Sequence, residues 1–208
     1  MPIPLVLASQ SPARLATLRS AGIEPRVIVS HVDEDAVLAA AGAVSPADAV
    51  LTLARAKAQE VAGKHEARAL ILGCDSMLEF GGEILGKPGD AATARDRWRA
   101  MRGNSGTLHT GHWLIDARAT PASGSAGATC STVVRFADLS DDEIDAYVAT
   151  GEPLQVAGAF TVDGIGGPYV ESIEGDFHGV VGVSLPLLRH LLADFGVAIH
   201  ELRVPRGL

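Results

Sequence analysis

The chain has 208 residues, 47% of them hydrophobic and 20% charged, and a formal net charge of −8. This is the composition of one folded domain or two small lobes with a sizeable core, and it excludes a disordered chain. The acidic balance does not suit a general nucleic-acid binder, and no apolar run reaches the roughly 18 residues of a membrane span.

Strand-like and helix-like segments alternate, which predicts an α/β fold with a mixed sheet. LVLAS (5–9) reads as a buried strand, and Ser11-Pro12 opens a helix that Gly22 stops. RVIVS (26–30) is a second predicted strand. Ser45-Pro46-Ala47-Asp48 carries a variant capping box and opens a helix to about Ala62. ALILGCDS (69–76) is a third strand, and Glu79–Leu85 a hairpin over Gly81-Gly82. Asp90 caps a helix to Arg102. Residues 106–117 and 127–136 read as paired strands, and Ser140 starts a helix to Ala149. The glycine-rich segment 151–181 is predicted to be irregular. SLPLLRHLLADFG (184–196) is an amphipathic helix and VAIHELRV a last strand.

Four stretches could carry chemistry. ASQSPAR (8–14) places Ser9, Ser11 and Arg14 where a strand turns into a helix N-terminus, whose N–H groups suit an anion; taken alone it is equally an ordinary capped helix. HVDED (31–35) puts three acids after a strand, either for a hard cation or as a solvated loop. Asp75 follows a buried strand at its C-terminal end, where open α/β sheets place ligands, although turn residues sit there too. Gly81-x4-Gly86-Lys87 imitates a P-loop but has Pro88 in place of the hydroxyl residue and strand-like residues in place of the loop, so it reads as a decoy. Lys87 on a Gly-Lys-Pro turn still suits a phosphate.

Lys57, Lys64 and Lys87 are the only lysines, and Lys57 lies among small residues in LARAKA. His109 and His112 are three apart on a strand, hence on opposite faces, which speaks against a shared metal. Arg95, Arg97, Arg99 and Arg102 ride one helix and read as a solvated or subunit-contact face. Cys74 and Cys130 have neither CxxC nor metal-type spacing, which suits a reducing cytoplasm, and the opening MPIPLVLASQS is not expected to be a signal peptide.

Taken together, LASQSPAR, VDED, LARAKA, GCDS and ILGKP resemble, in order, the motifs of the Maf family of nucleoside triphosphate pyrophosphatases. GEPLQVAGAF and EGDFHGVVGVSLPLL match later stretches, so the resemblance covers roughly residues 5–195. It departs at Ala13, where the family has an arginine, at Gly106, where a histidine is common, and at Asp163, where the uridine- and thymidine-directed branch has glutamine. The resemblance implies an elongated mixed β-sheet flanked by helices, with two lobes of a single Maf-like domain around a central cleft, similar to inosine triphosphate pyrophosphatases. It implies hydrolysis of NTPs, including modified ones, to NMP and pyrophosphate with Mg2+ or Mn2+, in nucleotide house-cleaning, and allows a homodimer.

Carried onto this chain, Glu34 and Asp75 would hold the metal and Asp75 would orient or deprotonate the attacking water. Lys57, Lys87, Arg14, Ser9 and the N–H groups of 9–12 would neutralise the triphosphate. The loop at 158–167, with Asp163, would approach the base. The rival reading is a non-catalytic nucleotide-binding regulator of septum formation.

Overall fold

The computed structural model describes residues 1–64, 68–119 and 122–204. The connection predicted around TPASGSAGA lies partly outside the described residues. Among these residues seven strands form one mixed sheet in the order β2-β1-β3-β5-β6-β7, with β4 paired to β3. They are β1 (Leu5–Leu7), β2 (Arg26–Val27), β3 (Leu70–Phe80), β4 (Glu83–Leu85), β5 (Ser105–Asp116), β6 (Gly124–Phe136) and β7 (Val170–Glu174). β1 runs parallel to β2 and β3, whereas β3–β4 and β6–β7 are antiparallel. The predicted mixed α/β sheet is therefore present, and the hairpin at Gly81-Gly82 turns with positive φ at both glycines.

The chain divides into two compact units. One comprises Met1–Asp75, Thr110–Cys130 and Gly182–Leu208, and the other Ser76–His109 and Ser131–Val181. Each has its own core. In the first, Leu5, Leu7, Leu70 and Leu72 pack with Leu18 of α1 (Pro12–Ser20) and with Leu188, Leu191 and Leu192 of α7 (Leu185–Ala193). In the second, Trp98 of α4 (Ala91–Met101) meets Phe136 edge-on, and Tyr147 of α5 (Asp141–Ala149) likewise, each at 5.6 Å between centroids. Trp98 Nε1 donates to Ala159 O, so the buried indole is satisfied.

Most predicted helices begin at the residues that signalled them. Ser11, Asp90, Ser140 and Ser184 each accept a backbone N–H through the side chain, and Ser140 with Glu143 completes a capping box. The helix opened by Ser45 is α3 (Pro46–Lys64), and it reaches slightly beyond the expected end.

Five expectations need correction. The second strand stops at Val27, because β1 pairs with it through Val6 and Leu7 and itself ends at Leu7. VAIHELRV is a 3-10 turn, Ile199–Leu202, closed by the Glu201 carboxylate accepting from Ala198 N at 2.7 Å. The irregular segment 151–181 ends in β7 and a short helix, α6 (Phe177–Val181). The third strand runs on to Phe80, so Asp75 lies in its middle and not at its C-terminal end. The arginines of α4 lie on a partly exposed face and are paired there. Arg95 pairs with Asp145, Arg99 and Arg102 with Asp141, and Arg97 donates to Gly86 O, so they tie α4 to α5 and to the turn after β4.

Candidate active site

The site in the first unit begins with one glycine. A Cβ on Gly73 would lie 2.1 Å from Ala54 O and 2.9 Å from Ala58 N. Only glycine at this point of β3 lets the backbone of α3 lie against the strand. The small residues Ala54 and Ala58 complete the close contact, and Lys57 is carried between them. Asp75 is two residues past Gly73 on β3. Sequence spacing in LARAKA and GCDS thus becomes spatial proximity.

Lys57 Nζ lies 2.5 Å from Asp75 Oδ1 and 2.7 Å from Glu34 Oε1. The Lys57 and Asp75 side chains are 11% and 10% exposed, against 51% for Glu34, so two partners are nearly buried and the third faces water. Burial pushes the Asp75 carboxyl above the ordinary carboxylate range, and the nearby Lys57 and Arg14 charges only partly offset it. Cys74 beside it is a fully buried thiol pushed up to about 11, which keeps it protonated and unreactive.

Glu34 reaches this cluster because HVDED is not an acidic loop. Asp33 caps a helix, α2 (Glu34–Ala41), by accepting from Ala36 N at 3.0 Å. Glu34 and Asp35 occupy its first turn, where the helix dipole favours them. Of the three acids, Asp33 is used as a cap and Glu34 bonds Lys57. The helix escaped sequence reading, although its Asp-x-x-Ala start was a signal.

Ser9, Ser11 and Arg14 assemble next to Asp75. Ser9 Oγ accepts from Ser11 N at 3.2 Å and from Arg14 Nη1 at 3.0 Å. Ser11 is the N-cap of α1, accepting from Arg14 N. Arg14 also donates from Nη1 to Cys74 O at 3.0 Å and from Nε to Gly182 O at 2.8 Å. Arg14 was expected to neutralise the triphosphate. In the structure these donors bind protein oxygens and join the segment after β1 and the middle of β3 to the segment before α7.

Lys87 and Asp163 belong to the second unit. Lys87 is exposed, and its backbone is pinned on both sides: Gly86 O accepts from Arg97 Nη1 and Gly158 N, and Gly89 N donates to Leu154 O. The P-loop-like spacing spans the β3–β4 hairpin, in keeping with its reading as a decoy. Asp163 is exposed on a bend rather than buried.

Sequence reasoning missed Glu152, which organises that bend. Its Oε1 accepts from Tyr147 Oη, Thr161 Oγ1 and Gly166 N at 2.9, 2.6 and 2.9 Å, and Oε2 accepts from Ile165 N at 2.9 Å. Burial acts to raise its pKa, but these donors outweigh it and hold the carboxyl below its usual range. The signal was present in GEP, an acid at the start of a glycine-rich stretch.

His109 and His112 do not share a ligand. His109 bonds Ser131 Oγ and Glu79 Oε2, whereas His112 accepts from Ser184 N through Nε2 and bonds Thr110 O through Nδ1. Among the described residues no group of three or more His, Cys, Asp or Glu is placed to hold a metal. Glu34 and Asp75 both reach one cation, the Lys57 ammonium. Two hard carboxylates so close together suit Mg2+ or Mn2+ when phosphate oxygens and water complete the shell.

Comparison with known proteins finds close relatives. A nucleoside triphosphate pyrophosphatase of Streptomyces coelicolor is 57% identical over 202 residues, covering 97% of this chain and 95% of that protein. One from Rhodococcus opacus is 53% identical, covering 97% of each chain. A solved nucleoside-triphosphatase / dITP/XTP pyrophosphatase from Mycobacterium abscessus aligns over 66% of this chain and 76% of that one, at a TM-score of 0.38 and 14% identity, too weak a likeness to carry an argument. The family model described as Maf-like protein matches residues 4–195, and the chain belongs to that family.

Proposed function

We propose that this Maf-family protein, a nucleoside triphosphate pyrophosphatase, cleaves its substrate at the cluster built around Asp75. The observation that carries the reading is the nearly buried carboxylate of Asp75 in the middle of β3, held by Lys57 and faced by Glu34. Water attacks the α-phosphorus, the bond to the bridging oxygen breaks, and pyrophosphate leaves with that oxygen. Asp75 takes the proton of the attacking water. A carboxyl raised by burial is a stronger base than a solvated one, provided it is ionised.

Glu34 and Asp75 would hold a divalent cation, which when bound supplies charge neutralisation at the phosphates and a more acidic water. Arg14 and Ser9 fix the backbone beside Asp75, Lys87 contributes an exposed cation for phosphate, and Asp163 meets the base. The proposal includes a cytoplasmic location, supported by two cysteines that are both thiols, and a homodimer. No helix is long and apolar enough to cross a membrane among the described residues. A non-catalytic regulator is not favoured, since a triphosphate binder gains nothing from carboxylates at the anion without a metal.

The test is a panel of NTPs, including methylated ones, scored for NMP and pyrophosphate with the wild type and Asp75→Asn. Pyrophosphate release by the wild type and its loss in the variant is the expected result. Equal turnover by both removes Asp75 from the mechanism.

A further inference from the structure

The ammonium of Lys57 occupies the point between the two carboxylates that a dication would also have to bridge. Its Nζ is within hydrogen-bond distance of both Asp75 Oδ1 and Glu34 Oε1. We propose that Lys57 is an internal competitor for the cation site: it fills the site in the substrate-free protein and must leave one or both carboxylates before a metal can bind there. The inference rests on the proposed placement of the metal at Glu34 and Asp75.

The physical grounds are local. Asp75 is nearly buried, and an uncompensated buried carboxylate is costly, so the free protein needs a cation against it. Lys57 supplies that cation covalently, and it sits on a helix held to the strand by the Gly73 contact. A tethered ammonium is always present, whereas a metal must be captured from solution, so the pair stays neutralised without it. Glu34 is the half-exposed partner and therefore the side from which an incoming ion, carrying its triphosphate, reaches the site. A lysine stem is flexible and its ammonium is a point charge, so on displacement it can turn from carboxylate to phosphate oxygen without a change of fold. One residue thereby serves as stand-in cation before substrate arrives and as phosphate contact afterwards. Metal binding to the empty protein is weak as a consequence, and the ion is taken up efficiently only with a phosphate to receive the displaced ammonium.

The test measures Mn2+ binding to the protein without nucleotide, at pH 8, by calorimetry or by the paramagnetic signal of unbound Mn2+. Lys57→Met, checked for folding by circular dichroism, should bind Mn2+ roughly tenfold to a hundredfold more tightly than wild type, the equivalent of one charge-assisted hydrogen bond no longer to be displaced. Unchanged or weaker binding overturns the inference, because a lysine that only supports the site would lower affinity when removed. The wild type supplies a second readout should Lys57→Met not fold. Lys57, 11% exposed when paired, should react faster with an amine-acetylating reagent once Mn2+ is added, with Lys64 as the internal control. No change at Lys57 on saturation with Mn2+ overturns it equally. Loss of Mn2+ binding in Asp75→Asn and Glu34→Gln is the expected companion result. If those two variants bind Mn2+ like wild type, the metal placement itself fails, and the competition with it.

Discussion

Arg14 Nη1 donates to the carbonyl oxygen of Cys74, the residue immediately before Asp75, at 3.0 Å. The same nitrogen reaches Ser9 Oγ, and Nε holds Gly182 O. One guanidinium therefore fixes the segment after β1, the middle of β3 and the segment before α7. A lysine has the charge but not the forked geometry. Arg14→Lys should cost about 1.5–3 kcal/mol of folding stability, the worth of one charge-assisted hydrogen bond, read as a lower midpoint in urea at unchanged slope. Wild-type stability in Arg14→Lys would mean that the forked geometry is not needed for the fold.

Asp75 sets the acid side of the rate profile. Its carboxyl is raised by burial, and only the ionised form accepts a proton. The rate should fall as pH drops through a value above the ordinary carboxylate range, instead of holding down to about pH 4. In Asp75→Asn turnover should drop by about 10²- to 10⁴-fold, as for loss of a general base, and the remaining rate should lose this acid limb. Initial rates of pyrophosphate release from pH 4 to 9 for both proteins decide it.

How far this site was legible in the sequence depends on the residue. Ser9, Ser11, Arg14, Lys57 and Asp75 sit at element ends or among small residues, so local patterns exposed them. Their meeting in space follows from Gly73, whose missing side chain appears in the sequence only as one glycine in a strand. Glu34 was found as a member of an acidic run, but the helix that aims it was not, because an acidic first turn and an acidic loop have the same composition. Arg14 was seen as a charge, and its protein acceptors on β3 and at Gly182 are contacts across 60 and 168 residues that no local pattern carries. The last predicted strand failed for a related reason: the Glu201–Ala198 bond that closes the turn competes with an extended reading of the same alternating residues.

Glu152 is expected to control the order of residues 161–166. Its carboxylate receives four donors, and its pKa is held down in the folded state. That stability is present above the unfolded value of about 4.3 and is lost as pH falls through the lower folded value. Glu152→Gln replaces one acceptor oxygen with an amino group, which must face a backbone N–H or a hydroxyl. Destabilisation of about 1–3 kcal/mol is expected at pH 7, shrinking as pH is lowered below 4. A melting-temperature series against pH for both proteins tests it, and a pH-independent difference would mean the charge of Glu152 is immaterial.

Lys87 and Lys64 make a matched pair. Both are surface lysines, but Lys64 joins Glu60 one helical turn away, whereas Lys87 stands on a backbone pinned through Gly86 and Gly89. Lys87→Ala should lower kcat/KM for triphosphates by at least about tenfold, since a phosphate contact of this kind is worth about 1.5–3 kcal/mol. Lys64→Ala should leave it unchanged, and both variants should melt within about 0.5 kcal/mol of wild type. Equal loss of activity in the two variants would remove Lys87 from the site.

Base choice is expected to turn on the hydrogen-bond capacity of Asp163. An ionised carboxylate only accepts. Uracil and thymine present one N–H between two carbonyl oxygens, a poor match, whereas guanine presents an N–H beside an amino group and cytosine an amino group alone. A 7-methylguanine adds positive charge, which a carboxylate favours further. Because Asp163 is exposed on its bend, water can satisfy it in the free protein, so discrimination belongs at the low end for a lost acceptor, about 1 kcal/mol or roughly fivefold. Guanine-type triphosphates and CTP should therefore exceed UTP and dTTP in kcat/KM by about that factor. Asp163→Gln should erase the difference, since an amide both donates and accepts. Because Glu152 rather than Asp163 holds the bend through Ile165 and Gly166, the variant should keep wild-type stability, separating a change in recognition from a change in folding. UTP and dTTP hydrolysed at least as efficiently as the guanine-type and cytidine triphosphates by the wild type would remove Asp163 from base recognition.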